Sequence, residues 1–318
     1  MHREDCFLRL PCREELYENQ DVPETPYLAA AEQSLTWEEQ GSLGNMAYLI
    51  EMSSAWSEVL QHLYRTKYRA VGDEAGVYER FYGQKQRQLQ WFTHHLPPHM
   101  FPCNRQNIER ALHNGYIGTF ISLHALYHTA AMQLNRHAVY DELEHEGLHR
   151  NLRAAQYHAR ELLNVTHTLS KLYREQRSSG PARIFSTPFL GYAILSAVDI
   201  LTSIGTLADL QSDLQLVQSS LEVVQELSRY WSSAQKQLEM IANRFTDIVG
   251  ALEDANTSNN VFITTDAMEN TFGRELDLFF SPPVEVRLQA LGLGTAAREG
   301  QGVLTIESLA SGIRGYGH

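Results

Sequence analysis

Cysteine is almost missing from this chain of 318 residues: there are 3. Three thiols cannot build a disulfide framework or a four-cysteine structural zinc site, and so few of them fit a reducing compartment. Cys6 and Cys12 flank a spacer that contains Pro11, and Cys103 is remote, so all three read as free thiols. Positive charge is also scarce. The 26 Lys+Arg stand against 38 Asp+Glu, a net charge of −12, which disfavours non-specific binding to a phosphate backbone. Long apolar runs are lacking. Phe189 to Leu201 is the most apolar stretch, but it holds Asp199 and falls short of the ~20 residues that span a bilayer. Met1 to Leu10 has no apolar run of signal-peptide length, and no Lys/Arg cluster reads as a nuclear import signal. The G-x-S-x-G elbow, the P-loop and the aspartate-rich run of prenyl-chain cyclases are absent. Gly292-Leu293-Gly294 lacks the third glycine of a dinucleotide loop. No alternating strand pattern and no fixed 20–50-residue period appears.

What is present is helical periodicity in a chain that is 43% hydrophobic, enough to bury a sizeable core. Residues 1–40 carry Pro11, Pro23 and Pro26 and read as an irregular lead-in with one apolar stub, Phe7-Leu8-Arg9-Leu10-Pro11. From Gly41 apolar residues recur at three- and four-residue steps, first from Met46 to Tyr64. Gly72-Asp73 and Pro97-Pro98 bound a second helix. Asn104 is a candidate N-cap for a third, whose stripe runs from Ile117 to Leu134. A fourth runs from about Gly147 to Arg177, followed by a Ser178–Pro181 linker. A fifth, through Phe189–Leu201, is apolar nearly all round and suits the centre of a domain. Two more follow, split near Ser228–Ser233, and the pattern fails after Asp254. The expectation is an all-α fold, a single bundle of about seven helices over 41–254, with a loosely packed tail over 255–318.

His145-Glu146-Gly147-Leu148-His149 fits H-E-x-x-H, in which two histidines a turn apart hold zinc and the Glu serves as base. Leu152 and Ala155 stand where the extended form of that motif carries a Gly and a His; Glu161 or Glu175 could supply a third ligand. Gly147 and the charged flank Asp141-Glu142-Leu143-Glu144 favour a solvated loop entering a helix instead. His124 and His128 form a second pair four residues apart, on the face of Ile117, Ile121 and Ala131, which suits a metal or ligand site and equally a pair of neutral core histidines. Arg136 can clamp an anion or face the helix carbonyls.

The order of segments carries a further signal. Phe7-Leu8-Arg9-Leu10-Pro11-Cys12-Arg13-Glu14 and the acids after it resemble the stub and Leu-Pro junction in the middle homology region of fungal zinc binuclear cluster transcription factors. Gly44–Ile50 with Trp56–Leu60 looks like that family's next helix. Leu123–Arg136, with Leu-His, Tyr-His and Leu-x-Arg, looks like its most recognisable one. Asn151–Ala155, Pro188–Leu201 and Arg229–Ala234 resemble its later helices, so the likeness covers about residues 5–250 in order. The resemblance implies an all-α regulatory domain acting on RNA polymerase II transcription in the nucleus. It implies contacts with other transcription-regulatory proteins, a small-molecule effector held between central helices, and neither an enzyme activity nor a cofactor. His124, Tyr127, His128, Arg136 and Tyr192 are the candidate ligand-binding residues, with no catalytic or metal residue among them. The family's six-cysteine DNA reader, with its basic segment and coiled coil, is not in this sequence, so this chain alone is expected not to bind DNA specifically. No membrane association is expected. The alternative is a zinc-dependent hydrolase built on His145, Glu146 and His149.

Overall fold

The computed structural model describes residues 8–21, 23–28, 41–68, 75–137, 145–177 and 187–257. Those residues belong to one unit, Met1–Val261. They form helices α1 (Glu14–Glu18), α2 (Asn45–Tyr68), α3 (Ala75–His95), α4 (Arg105–His113) and α5 (Ile117–His137). These are followed by α6 (His145–Arg177), α7 (Phe189–Ile204), α8 (Leu207–Ser228) and α9 (Ser232–Thr257). The fold is all-α. No strand occurs among the described residues, only the isolated bridges Arg9–Tyr27 and Cys12–Leu43. No described helix is long and apolar enough to cross a membrane.

The nine helices named among the described residues exceed the seven expected for two local reasons. The helix expected to open at Asn104 is two helices. The cap itself is as read, with the Asn104 side chain accepting from the Asn107 N–H, but Gly115 at φ +79° ends α4. The N–H groups of Asn114 and Tyr116 donate to Arg110 and Ala111, closing that helix before Ile117 starts the next. The lead-in contributes the short α1. Helix α9 runs on to Thr257, past Asp254 where the periodicity fails; 258–318 lie outside the described residues, as does the linker at Ser178–Pro181.

The bundle is built around α5, α6 and α7. Helix α5 packs on α2, α3, α4, α6 and α7, while α6 and α7 carry α8 and α9. The all-round apolarity of α7 has its expected consequence, since every residue from Ala193 to Leu201 is buried. Burial of Ala155, Ala159, Leu162, Leu163 and Leu169 stabilises the 33-residue α6 and offsets the roughly 1 kcal/mol that Gly147 costs a helix. Thr206 starts α8 with a capping box to Asp209. Helix α3 is tied in by Tyr82, whose hydroxyl lies 2.9 Å from Asn135 Oδ1 on α5 and 3.1 Å from Asn151 Oδ1 on α6.

The described part of the lead-in, 8–21 and 23–28, is docked. Leu10 is buried; its N–H donates to Pro26 O, and its carbonyl accepts from Thr25 Oγ1. Beyond it, the Arg13 N–H donates to Ser42 O and the Gly44 N–H to Pro11 O. A side chain at position 44 would meet the Cys12 carbonyl, with Cβ overlapping its oxygen and 2.9 Å from its carbon. Both sides of that contact are backbone, so neither yields cheaply. Gly44→Ala is therefore expected to destabilise the fold by about 1–3 kcal/mol, as overpacking does, whereas Gly41→Ala, with nothing within 4 Å of its Cβ, should leave the urea midpoint unchanged. Equal midpoints for the two variants would show that the lead-in is not held against α2.

Candidate functional site

Three of the five candidate residues meet in one buried cluster. His124 and His128 lie one turn apart on the inward face of α5 and are 1% and 6% exposed. His124 Nε2 donates to Met100 O at 2.8 Å, because a carbonyl can only accept. Its Nδ1 is buried without a hydrogen-bond partner, and the ring sits between Phe120, at 4.6 Å, and Phe101, at 6.1 Å. A second proton on that Nδ1 would have no acceptor. Burial accordingly pushes the imidazole down to about 4, against a small opposing effect of the Met100 bond.

His128 reaches across to α6. Its Nδ1 lies 3.2 Å from Nδ1 of His158, with the rings 5.4 Å apart. One nitrogen must donate and the other accept, so the contact requires at least one neutral ring. Burial, then the two neighbouring histidines, hold His128 well below its ordinary value, and burial lowers His158 to about 4. Tyr127 packs edge-on to both, 5.0 Å from His128 and 5.6 Å from His158, and burial raises its phenol to about 12. Tyr157, mostly exposed, covers His158 from outside at 5.3 Å. Nearby Cys103 is a free thiol raised by burial, with the Glu161 carboxylate acting in the same direction.

The other two candidates sit elsewhere in the bundle. Arg136 is 1% exposed and lies on α5 two turns beyond His128, about 12 Å along the axis. Tyr192, on α7, packs its ring against Trp56 of α2, at 6.4 Å, and Phe189, at 5.7 Å. In the sequence His158 fits no extended H-E-x-x-H spacing and was not among the candidate residues. It was legible as a position on the buried face of α6, between Ala155 and Leu162 at helical spacing. Met100 and Phe101 were not legible, because their contact with His124 is made by a loop that carries no pattern.

Such a cluster is poorly suited to proton transfer with a solvent-borne substrate and well suited to packing. Two imidazole nitrogens could hold one metal edge. Among the described residues, however, no group of three or more His, Cys, Asp and Glu stands at metal-binding separation. The H-E-x-x-H side chains of His145, Glu146 and His149 lie outside the described residues, although the backbone there is helical. The continuity of α6 removes both third ligands proposed for that motif. Glu161 lies about 18 Å and Glu175 about 39 Å along a single helix from His149, beyond reach of one metal. Glu175 is instead engaged with Arg105, 2.9 Å away.

A cavity of about 220 Å³ opens between α2 and α3, and none of the five candidates lines it. Compared with known proteins, the chain matches no family model, no curated protein and no solved structure.

Proposed function

We propose that this chain is a regulatory helical domain of the fungal zinc binuclear cluster transcription factor kind. In this reading it works in the nucleus on RNA polymerase II transcription, through contacts with other regulatory proteins and with a small-molecule effector. The observation that carries the reading is the place of Leu123–Arg136. The segment that most resembles the family is α5, the helix on which α2, α3, α4, α6 and α7 all pack. Its Leu-His, Tyr-His and Leu-x-Arg positions are filled by the inward-facing His124, His128 and Arg136. The docked Leu10-Pro11 stub supports the same reading, since a junction that pairs with the start of α2 has a reason to keep its sequence. The net charge of −12 agrees with DNA contact being made elsewhere than on this chain.

The test is a reporter assay in yeast with the full chain fused to an unrelated DNA-binding domain. Transcription is expected to change several-fold, in either direction. An expressed fusion that leaves the reporter at the level of the bare DNA-binding domain would sink the reading. One observation favours a competitor: the backbone is helical from His145 through His149, as a zinc-dependent hydrolase using His145, Glu146 and His149 needs. Metal analysis of the purified chain separates the two. One zinc per chain, lost in His145→Ala, would replace the regulatory reading with the hydrolase.

A further inference from the structure

Beside the buried histidines, a set of rings reaches the surface. Phe101 comes from the loop before α4, Tyr127 from α5, and Tyr157 and His158 from α6. Phe101, Tyr127 and His158 are half-buried, and Tyr157 is 59% exposed. Successive rings stand nearly at right angles. Phe101 meets Tyr127 at 80° with centroids 6.5 Å apart, Tyr127 meets His158 at 79° and 5.6 Å, and His158 meets Tyr157 at 75° and 5.3 Å. Two perpendicular rings at such spacings make a corner in which a bound atom lies roughly 4–5 Å from both centroids, within the ~6 Å over which a ring face attracts a cation.

The charge beside these rings has the complementary sign. Glu161 lies one turn after Tyr157 on α6, and its carboxylate adds to burial in raising both the Tyr157 phenol and the Cys103 thiol. Among the described residues Glu161 has no hydrogen-bond or ion-pair partner. Arg160, its neighbour in sequence, is turned to Asp209 and Asp213 on α8. His158 brings no opposing charge, since burial keeps its imidazole neutral at pH 7. Ring faces attract positive charge but accept few hydrogen bonds. A primary ammonium seated against them would lose water that the rings replace poorly. A quaternary ammonium has no N–H to satisfy, and its methyl groups pack directly on the faces.

We propose that the corner formed by Phe101, Tyr127, His158 and Tyr157 binds a quaternary ammonium group, with Glu161 as its counter-charge. The site stands on its own rings and does not depend on the regulatory reading. The test is calorimetric titration of the full chain with choline and with 3,3-dimethylbutan-1-ol, its neutral isostere. Choline is expected to saturate with a Kd of about 1 mM or tighter, and the isostere to bind at least about tenfold more weakly. A capped trimethyl-lysine carries the same group on a protein side chain. If choline binds the tighter of the two, the carrier is a free small molecule; if the capped residue does, it is a methylated protein. Tyr157→Ala, at an exposed position, should weaken the cation about fivefold, and Tyr157→Phe should leave it unchanged, because the ring face remains. Glu161→Gln should weaken it about threefold at low salt. No saturable heat with either cation at about 10 mM would overturn the proposal. So would an isostere that binds as tightly as choline, a Tyr157→Ala chain with unaltered affinity, or a loss in Tyr157→Phe equal to that in Tyr157→Ala.

Discussion

Taking the chain from pH 7 to pH 4 is expected to remove several kcal/mol of folding free energy, with most of the loss falling between pH 6.5 and 4. The cause is the His124–His128–His158 cluster. In the unfolded chain each imidazole takes up a proton near pH 6.5; in the folded chain His124 and His158 do so only near 4, and His128 is held well below its ordinary value. Above pH 6.5 both states are neutral and the packing contributes its full stability. Below it the unfolded state binds more protons, so stability falls until the folded histidines also titrate. One pKa unit corresponds to about 1.4 kcal/mol, so His124 alone can withdraw roughly 3 kcal/mol at pH 4. His128 and His158 face each other through one proton, so their shares do not simply add. Against the usual 5–15 kcal/mol of a domain, the combined loss is large.

The carboxylates with resolved shifts act mainly at the acid end of this window. Hydrogen bonds from Thr206 lower Asp209, whose contribution is lost as pH falls through the range below 3.8. Burial raises Asp213, which works in the opposite sense. Urea midpoints measured by circular dichroism at intervals from pH 7 to 4 test the expectation. A flat midpoint between pH 7 and 4.5 would mean that the three rings are not buried neutral together. His158→Gln, which removes one titrating ring while keeping a hydrogen-bonding side chain, should give a visibly shallower slope.

The histidine cluster also marks how far sequence carries. His124 and His128 share a face because residues four apart on a helix must, and that face was readable from Ile117, Ile121 and Ala131. What satisfies them was not readable. Met100 O is 24 residues before His124 and His158 is 30 residues after His128, and no local rule pairs them. The same holds for charge. Lys85 sits on a helix whose spacing gives no hint that Glu58, 27 residues earlier, will bury it. The break between α4 and α5 was written plainly as Asn114-Gly115. It was overrun because the apolar stripe continues across it, and a two-residue reversal costs a helical pattern nothing. The α3 wall of the cavity illustrates the opposite limit. Gln84, Arg87, Gln88 and Trp91 are spaced as a helix face, but a polar face reads as solvent-exposed until another helix stands across from it.

Asp199 is the charge that interrupts the most apolar helix of the chain, and removing its counter-ion should be among the most damaging substitutions. The carboxylate is 2% exposed on α7, and Arg244 Nε of α9 donates to it at 2.8 Å. The two ends of this pair are not equivalent. The Arg244 side chain is 33% exposed and keeps contact with water, whereas the Asp199 side chain has none to turn to. Arg244→Met therefore leaves a buried carboxylate without its cation, a loss of about 3–5 kcal/mol. Asp199→Asn leaves a guanidinium that water can solvate in part, and the amide keeps the shape of the site, so its cost should be nearer 1–2 kcal/mol. Combining Asp199→Leu with Arg244→Met removes both charges, and replacing a buried pair by apolar groups of similar size is close to neutral in many proteins. The double variant is thus expected to be more stable than Arg244→Met alone, with a coupling of about 2 kcal/mol or more in the mutant cycle. Chemical denaturation at pH 7 of the wild-type chain, Arg244→Met, Asp199→Leu, their double variant and Asp199→Asn measures it. If Arg244→Met and Asp199→Asn cost the same, or the two changes add without coupling, the ion pair does not anchor α9 to α7, and apolar contacts such as Ile241, Phe245 and Ile248 do so alone.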